Sequence, residues 1–162
     1  VVEQPLLLTG RHDERVQLMD GTNYSGGCLC GRVRYQASGD GSNRCFCHCT
    51  SCRRAIGAPM VPWVTFAARN FTIVQGQLAQ YRSSPGVRRG FCAACGTSMT
   101  YSRDDRGDEI DVTVSSLDDP ATLVPEAHIW VEDKLPWVNI ADGRAQFARS
   151  LSCDPKPRTS AS

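Results

Sequence analysis

Gly27-Cys28-Leu29-Cys30-Gly31-Arg32-Val33-Arg34-Tyr35 and, further along, Cys92-Ala93-Ala94-Cys95-Gly96-Thr97-Ser98-Met99-Thr100-Tyr101 decide the fold. Each reads as a cysteine pair, a glycine, and a strand ending in tyrosine. C-x-C and C-x-x-C spacings aim two thiolates at one ion, and tetrahedral zinc takes four ligands at about 2.3 Å. The glycine after each knuckle permits the sharp backbone bend that such a turn needs. Four thiolates from Cys28, Cys30, Cys92 and Cys95 would close one site completely, as a structural zinc. Such a site ties the two segments together and contributes folding free energy outright.

Between the knuckles lies a third group, Cys47-His48-Cys49-Thr50-Ser51-Cys52-Arg53-Arg54. Cys47, Cys49 and Cys52 supply three thiolates with no obvious fourth. Three protein ligands plus an exchangeable position distinguish a catalytic zinc from a structural one. Other readings stay open at this stage: Cys45 completing a closed site, a second structural zinc, a redox-sensing thiol cluster, or iron in place of zinc. His48, between two ligands on an extended stretch, is expected to point away from them. Cys153 reads as a free thiol in the tail.

Working outward, short segments broken by Gly, Pro, Asn and Asp predict strands near 32–37, 61–66, 70–75, 78–82, 87–91, 98–101, 109–114 and 127–131. One short helix is predicted over Ser51–Ile56, with Thr50 as N-cap and Gly57 and Pro59 as its stop. The fold class is therefore mainly β, and nothing resembles a βαβ alternation. The domain organisation expected is an N-terminal extension over 1–22, a zinc-binding domain over 23–150, and a disordered tail over 151–162.

Composition agrees. The chain has 162 residues, 41% hydrophobic and 22% charged, which fits one globular domain. The nine cysteines are an odd number and no secretory signal is visible, so a reduced, cytoplasmic metal protein is expected rather than a disulfide framework. A net charge of +1 gives no electrostatic case for nucleic acid or a membrane surface. The oligomeric state is left open, with room for a homo-oligomer.

The three cysteine motifs, in this order, resemble the glutathione-dependent formaldehyde-activating enzyme family, which also includes centromere protein V-like proteins. Ser116-Leu117-Asp118-Asp119-Pro120 and Pro125-Glu126-Ala127-His128-Ile129-Trp130 are similar to it too. The resemblance runs from about Tyr24 to Phe147. It implies an Mss4-like fold of several coiled antiparallel β-sheets holding two zinc ions. Cys28, Cys30, Cys92 and Cys95 would hold the structural zinc, and Cys47, Cys49 and Cys52 the second, catalytic one. The implied partners are a small-molecule thiol and aldehyde, with glutathione as co-substrate and S-hydroxymethylglutathione as product. In reverse the reaction is that of a carbon–sulfur lyase. Arg53, Trp63, Arg89 and His128 are the candidate substrate-binding residues: Arg53 for a carboxylate, Trp63 for a pocket wall, Arg89 approaching the pocket from beside the second knuckle, and His128 for moving a proton. The rival readings are a non-catalytic zinc-stabilised binding module of the centromere protein V type, an adduct carrier, or a redox-sensing cluster.

Overall fold

Val33, Tyr35 and Ala37 alternate with polar neighbours, and the apolar side of that alternation is buried. The computed structural model describes residues 21–151. A hairpin of β1 (Asn23–Gly27) and β2 (Arg34–Ser38) joins β5 (Phe71–Gln75) in a three-stranded antiparallel sheet, in the order β1-β2-β5.

The second sheet has eight strands. They are β3 (Ser42–Cys47), β4 (Val61–Ala67), β6 (Ala79–Ser84), β7 (Val87–Phe91), β8 (Ser98–Arg103), β9 (Glu109–Thr113), β10 (Ala127–Ile129) and β11 (Ala145–Gln146). Their order is β11-β10-β3-β4-β9-β8-β7-β6. All pairings are antiparallel except those of β10, which runs parallel to both β3 and β11. The one α-helix among the described residues, α1 (Thr50–Ile56), links β3 to β4.

β4 sits centrally and divides the interior by its own period of two. Val64 and Phe66 enter the main core with Tyr35, Met99, Val112 and Leu123, whereas Val61 and Trp63 pack with Cys45, Cys47 and Cys52. Met99, Val64 and Val112 are fully buried, each worth roughly 1.5–3 kcal/mol of hydrophobic stabilisation. The chemistry-bearing cysteines thus belong to a separate, smaller cluster.

The predicted strands are all present, with ends displaced by a few residues. Strands at 23–27, 42–47 and 145–146 escaped the sequence reading, as did the parallel pairing of β10. β1 carries no β-branched residue and ends in two glycines. Gly26 is required there, because a Cβ would lie 2.3 Å from the Tyr35 hydroxyl and 2.5 Å from the Ser116 carbonyl oxygen. β3 opens with polar residues, and Asn43 has a positive φ of 49° where the register with β4 shifts.

The helix start also differs from expectation. Cys49, not Thr50, is the N-cap: its sulfur accepts from the Cys52 backbone N–H at 3.3 Å. The C-terminal stop is as predicted, with Gly57 left-handed and its N–H donating to the Arg53 carbonyl at 2.8 Å. Cys153 and most of both terminal extensions lie outside the described residues. No described helix is long and apolar enough to cross a membrane.

Candidate metal centres and their surroundings

The two knuckles are built alike. In the first, the Cys28 N–H donates to the Val33 carbonyl and the Gly31 N–H to the Cys28 carbonyl; in the second, the Cys92 N–H donates to Thr97 and the Gly96 N–H to Cys92. Gly31 and Gly96 have φ of 74° and 76°, a region that side-chain-bearing residues avoid. One knuckle closes the β1–β2 hairpin of the small sheet. The other closes the β7–β8 hairpin of the large one.

Their four sulfurs lie within 4.8 Å of one another. Cys28 and Cys30 are 3.5 Å apart and Cys30 and Cys92 3.8 Å, against an edge of about 3.8 Å for a tetrahedron with 2.3 Å zinc–sulfur bonds. The donor set fits zinc. The Thr97 hydroxyl and backbone hold the Cys95 thiol down to about 5. For Cys28, burial opposes ionisation, but donation from the Val33 N–H and the neighbouring thiols outweighs it and lowers its pKa. The site is half wet, with Cys30 exposed and Cys28 and Cys92 buried.

The second group is assembled locally. Cys47 ends β3, Cys49 caps α1, and Cys52 lies in the helix's first turn, with all three sulfurs within 4.8 Å of one another. No fourth Cys, His, Asp or Glu joins this group among the described residues. Cys45 stays apart, buried against Trp63, and burial pushes its thiol up to about 12. Within the trio, thiol donation from Cys47 and Cys49 brings Cys52 down to about 3 against the cost of burial, with Arg89 assisting. Cys47 moves the opposite way, driven by the same sulfur contacts. Metal binding would displace the protons held by the trio.

The candidate substrate residues are distributed around this trio, mostly facing protein. Arg89 in β7 donates to the Cys52 sulfur from both terminal nitrogens, at 3.7 and 3.8 Å, and its guanidinium stacks 4.9 Å over the Tyr101 ring. Trp63 is buried beside Cys45, Cys47 and Cys52 and tilts against Tyr101. Arg53 turns back on the helix entrance. Its Nε donates to the His48 carbonyl, and NH2 donates to the Thr50 hydroxyl and the Asp133 carbonyl.

His128 is buried in β10, with Nε2 3.0 Å from Asp142 and Nδ1 2.9 Å from His48 Nε2. Asp142 is an acceptor only, so His128 carries its proton on Nε2 and accepts from His48 through Nδ1. His48 is then the Nε2–H tautomer, leaving a buried Nδ1 without a partner. Burial, then the His128 contact, lowers His48 to about 4. As expected, His48 points away from the thiolates. The His48–His128–Asp142 chain, together with the His48 N–H bond to the Ile129 carbonyl, fixes the β3–α1 corner that carries Cys47 and Cys49. Sequence reasoning missed the part played by Tyr101, which it read only as the end of the second knuckle's strand, and missed Asp142; only tertiary packing brings them in.

A cleft of about 330 Å³ opens between the end of α1, the start of β4 and the second knuckle; Cys95 and Gly96 of the outer group line it, and Cys47, Cys49 and Cys52 do not. Ile56 and Val61 line it and also pack in the trio's cluster, and Val61 is the β-ladder partner of Cys47. Its far wall is Thr97, Ser98 and Ser116, beside the second knuckle. No arginine, lysine, histidine or carboxylate lines it, nor do Arg53, Trp63, Arg89 or His128.

Comparison with known proteins places the chain by family and fold. An uncharacterized lyase of Schizosaccharomyces pombe is 21% identical over 124 residues, which is 76% of this chain and 90% of that protein. The crystal structure of a Rhodobacter sphaeroides protein shares the fold, with a TM-score of 0.51 at 22% identity, covering 76% of this chain and 98% of that one. The model of the family described as glutathione-dependent formaldehyde-activating enzyme matches residues 23–133, from the first strand of the small sheet to just past the strand that carries His128. On that match the chain belongs to the glutathione-dependent formaldehyde-activating enzyme family.

Proposed function

We propose that the chain is a carbon–sulfur lyase-type enzyme acting on the adduct of a small thiol, such as glutathione, with an aldehyde, such as formaldehyde, at Cys47, Cys49 and Cys52. The observation that carries this reading is the second sulfur group: three mutually close cysteines without a fourth ligand among the described residues. Family membership and the lyase-named relative support the reaction class.

In the forward direction the thiol sulfur bonds to the carbonyl carbon, the C=O π bond opens, and the thiol proton ends on the new hydroxyl. Zinc, when bound, supplies a positive centre that favours the deprotonated thiol at neutral pH. The chain's own residues do the rest. Cys47, Cys49 and Cys52 hold the ion, the histidine–aspartate chain fixes the corner they stand on, and Trp63 excludes water behind them.

The test compares metal-loaded parent and Cys49→Ser for adduct formation above the spontaneous rate. A rate enhancement in the parent that Cys49→Ser abolishes is expected. Equal rates would remove the catalytic reading and leave a metal-folded protein.

A further inference from the structure

Arg89 is a buried cation that the proposed reaction does not use. It is 6% exposed, and among the described residues no carboxylate pairs with it, whereas its strand neighbour Arg88 holds Asp104. A desolvated guanidinium is costly unless an anion offsets it. The groups it meets are the Cys52 sulfur, the Ser83 hydroxyl at 3.2 Å and the Tyr101 ring face. Of these the sulfur is the one that would carry a negative charge, as a metal-bound thiolate.

Charge arithmetic explains the pairing. A divalent ion on three thiolates carries −1, and an anionic fourth ligand brings the total to −2. The four-cysteine site reaches −2 as well, but there Cys30 is exposed and Cys95 half-exposed, so water screens it. Each group buries two of its sulfurs, but the trio's remaining one, Cys49, is half-buried, and no trio sulfur is as open to water as Cys30. A buried centre at −2 needs a fixed counter-charge.

Resting on the open three-cysteine site proposed above, we infer that Arg89 is a positioning residue: it holds the Cys52 sulfur and supplies the positive charge that lets this site accept an anionic thiolate guest. Its role is to act through Cys52, not to bind the substrate's carboxylate. A neutral guest leaves the charge at −1 and has little need of it.

The test uses the full chain loaded with cobalt(II), whose thiolate charge-transfer bands report the ligands. 2-Mercaptoethanol is the anionic guest and imidazole the neutral one. The ligand-induced difference spectrum isolates the open site, because a saturated four-thiolate centre does not respond. The expected result for Arg89→Met is thiol affinity reduced on the order of 30-fold, the low end for removing one partner of a buried charge pair. Imidazole affinity should stay within about threefold of the parent, and Arg89→Lys should recover part of the thiol affinity. Equal weakening of both guests, or of neither, overturns the assignment. Retained bands of the outer four-cysteine site show that the variant is folded. If Arg89→Met lacks them, Arg89→Lys decides: its thiol-to-imidazole preference must stay within about tenfold of the parent, and a larger loss overturns the charge account. A parent that takes up neither guest removes the open site itself and this assignment with it, which is a different result from guest binding that ignores Arg89.

Discussion

Replacing Cys30 and Cys49 separately by serine should produce opposite outcomes, although each removes one sulfur from a metal group. Neither residue is buried, so little packing is lost. Cys30 and Cys92 are 62 residues apart and join hairpins from different sheets. Closing a loop of that length removes unfolded-state entropy worth about 4 kcal/mol on the chain-entropy account used for cross-links. Cys47, Cys49 and Cys52 lie within one short segment, so the unfolded chain can gather them too, and metal bound to both states stabilises neither. Cys30→Ser should therefore lower the melting temperature by roughly 10–20 °C, and Cys49→Ser by only a few degrees. Scanning calorimetry of the metal-loaded proteins, with metal per chain by elemental analysis, measures both. The parent should hold two ions and each variant one, and a chelator that strips the parent should bring it to the Cys30→Ser value. Equal losses of stability, or a Cys30→Ser protein melting with the parent, would refute the partition into stapling and working sites.

Cys45→Ala should leave metal content at the parent value while costing about 1–2 kcal/mol in urea unfolding for the lost buried sulfur; a missing ion would make Cys45 a ligand. Gly26→Ala places a methyl group against the Tyr35 hydroxyl and the Ser116 carbonyl, and should cost about 2–3 kcal/mol, read as a lower urea midpoint. For Asp142, burial opposes ionisation, but bonds from His128 and Arg144 hold it down to about 2. Its folded-state pKa lies below the unfolded value, so its contribution is present above about pH 4 and fades as pH falls toward 2. Solvent reaches a third of the side chain, so the contribution is about 1 kcal/mol rather than the full shift. The stability gap between parent and Asp142→Asn should be constant from pH 8 to 5. A gap that closes by pH 6 would show that a histidine, not the carboxylate, is titrating.

How much of this was legible in the sequence depends on whether the signal was local. Cys28, Cys30, Cys92 and Cys95 could be grouped because each pair is a short motif followed by glycine, and the structure reproduces both knuckles bond for bond. The trio was legible for the same reason. Strands with alternating β-branched residues, such as Ile110-Asp111-Val112, were visible, whereas β1 and β3 form only because neighbours accept them. Gly26 is there for Tyr35, and Asp118 accepts from Arg34 and Ser25. The supporting residues were legible as types and not as contacts. Arg53 and Arg89 are both arginines near a cysteine motif, but Arg53 faces backbone carbonyls and Arg89 faces a sulfur. That difference is set by β7 and α1 meeting in space, which no window of sequence contains.

The placement of the two sulfur groups on the sheets explains why one fold keeps both. The knuckles stand where the three-stranded and eight-stranded sheets meet, so an ion there resists their separation and any exchange of ligands would loosen the fold. The trio belongs entirely to the larger sheet and the helix it feeds, and its corner is already secured by the β10 pairing, the histidine chain and the α1 caps. A site held in place by hydrogen bonds around it need not be saturated by its metal's ligands to stay formed. Stability and ligand exchange make opposite demands on a metal centre, and on the proposed reading different cysteines would answer each demand: those far apart in sequence would hold the sheets, and those close together would be free to leave a position vacant.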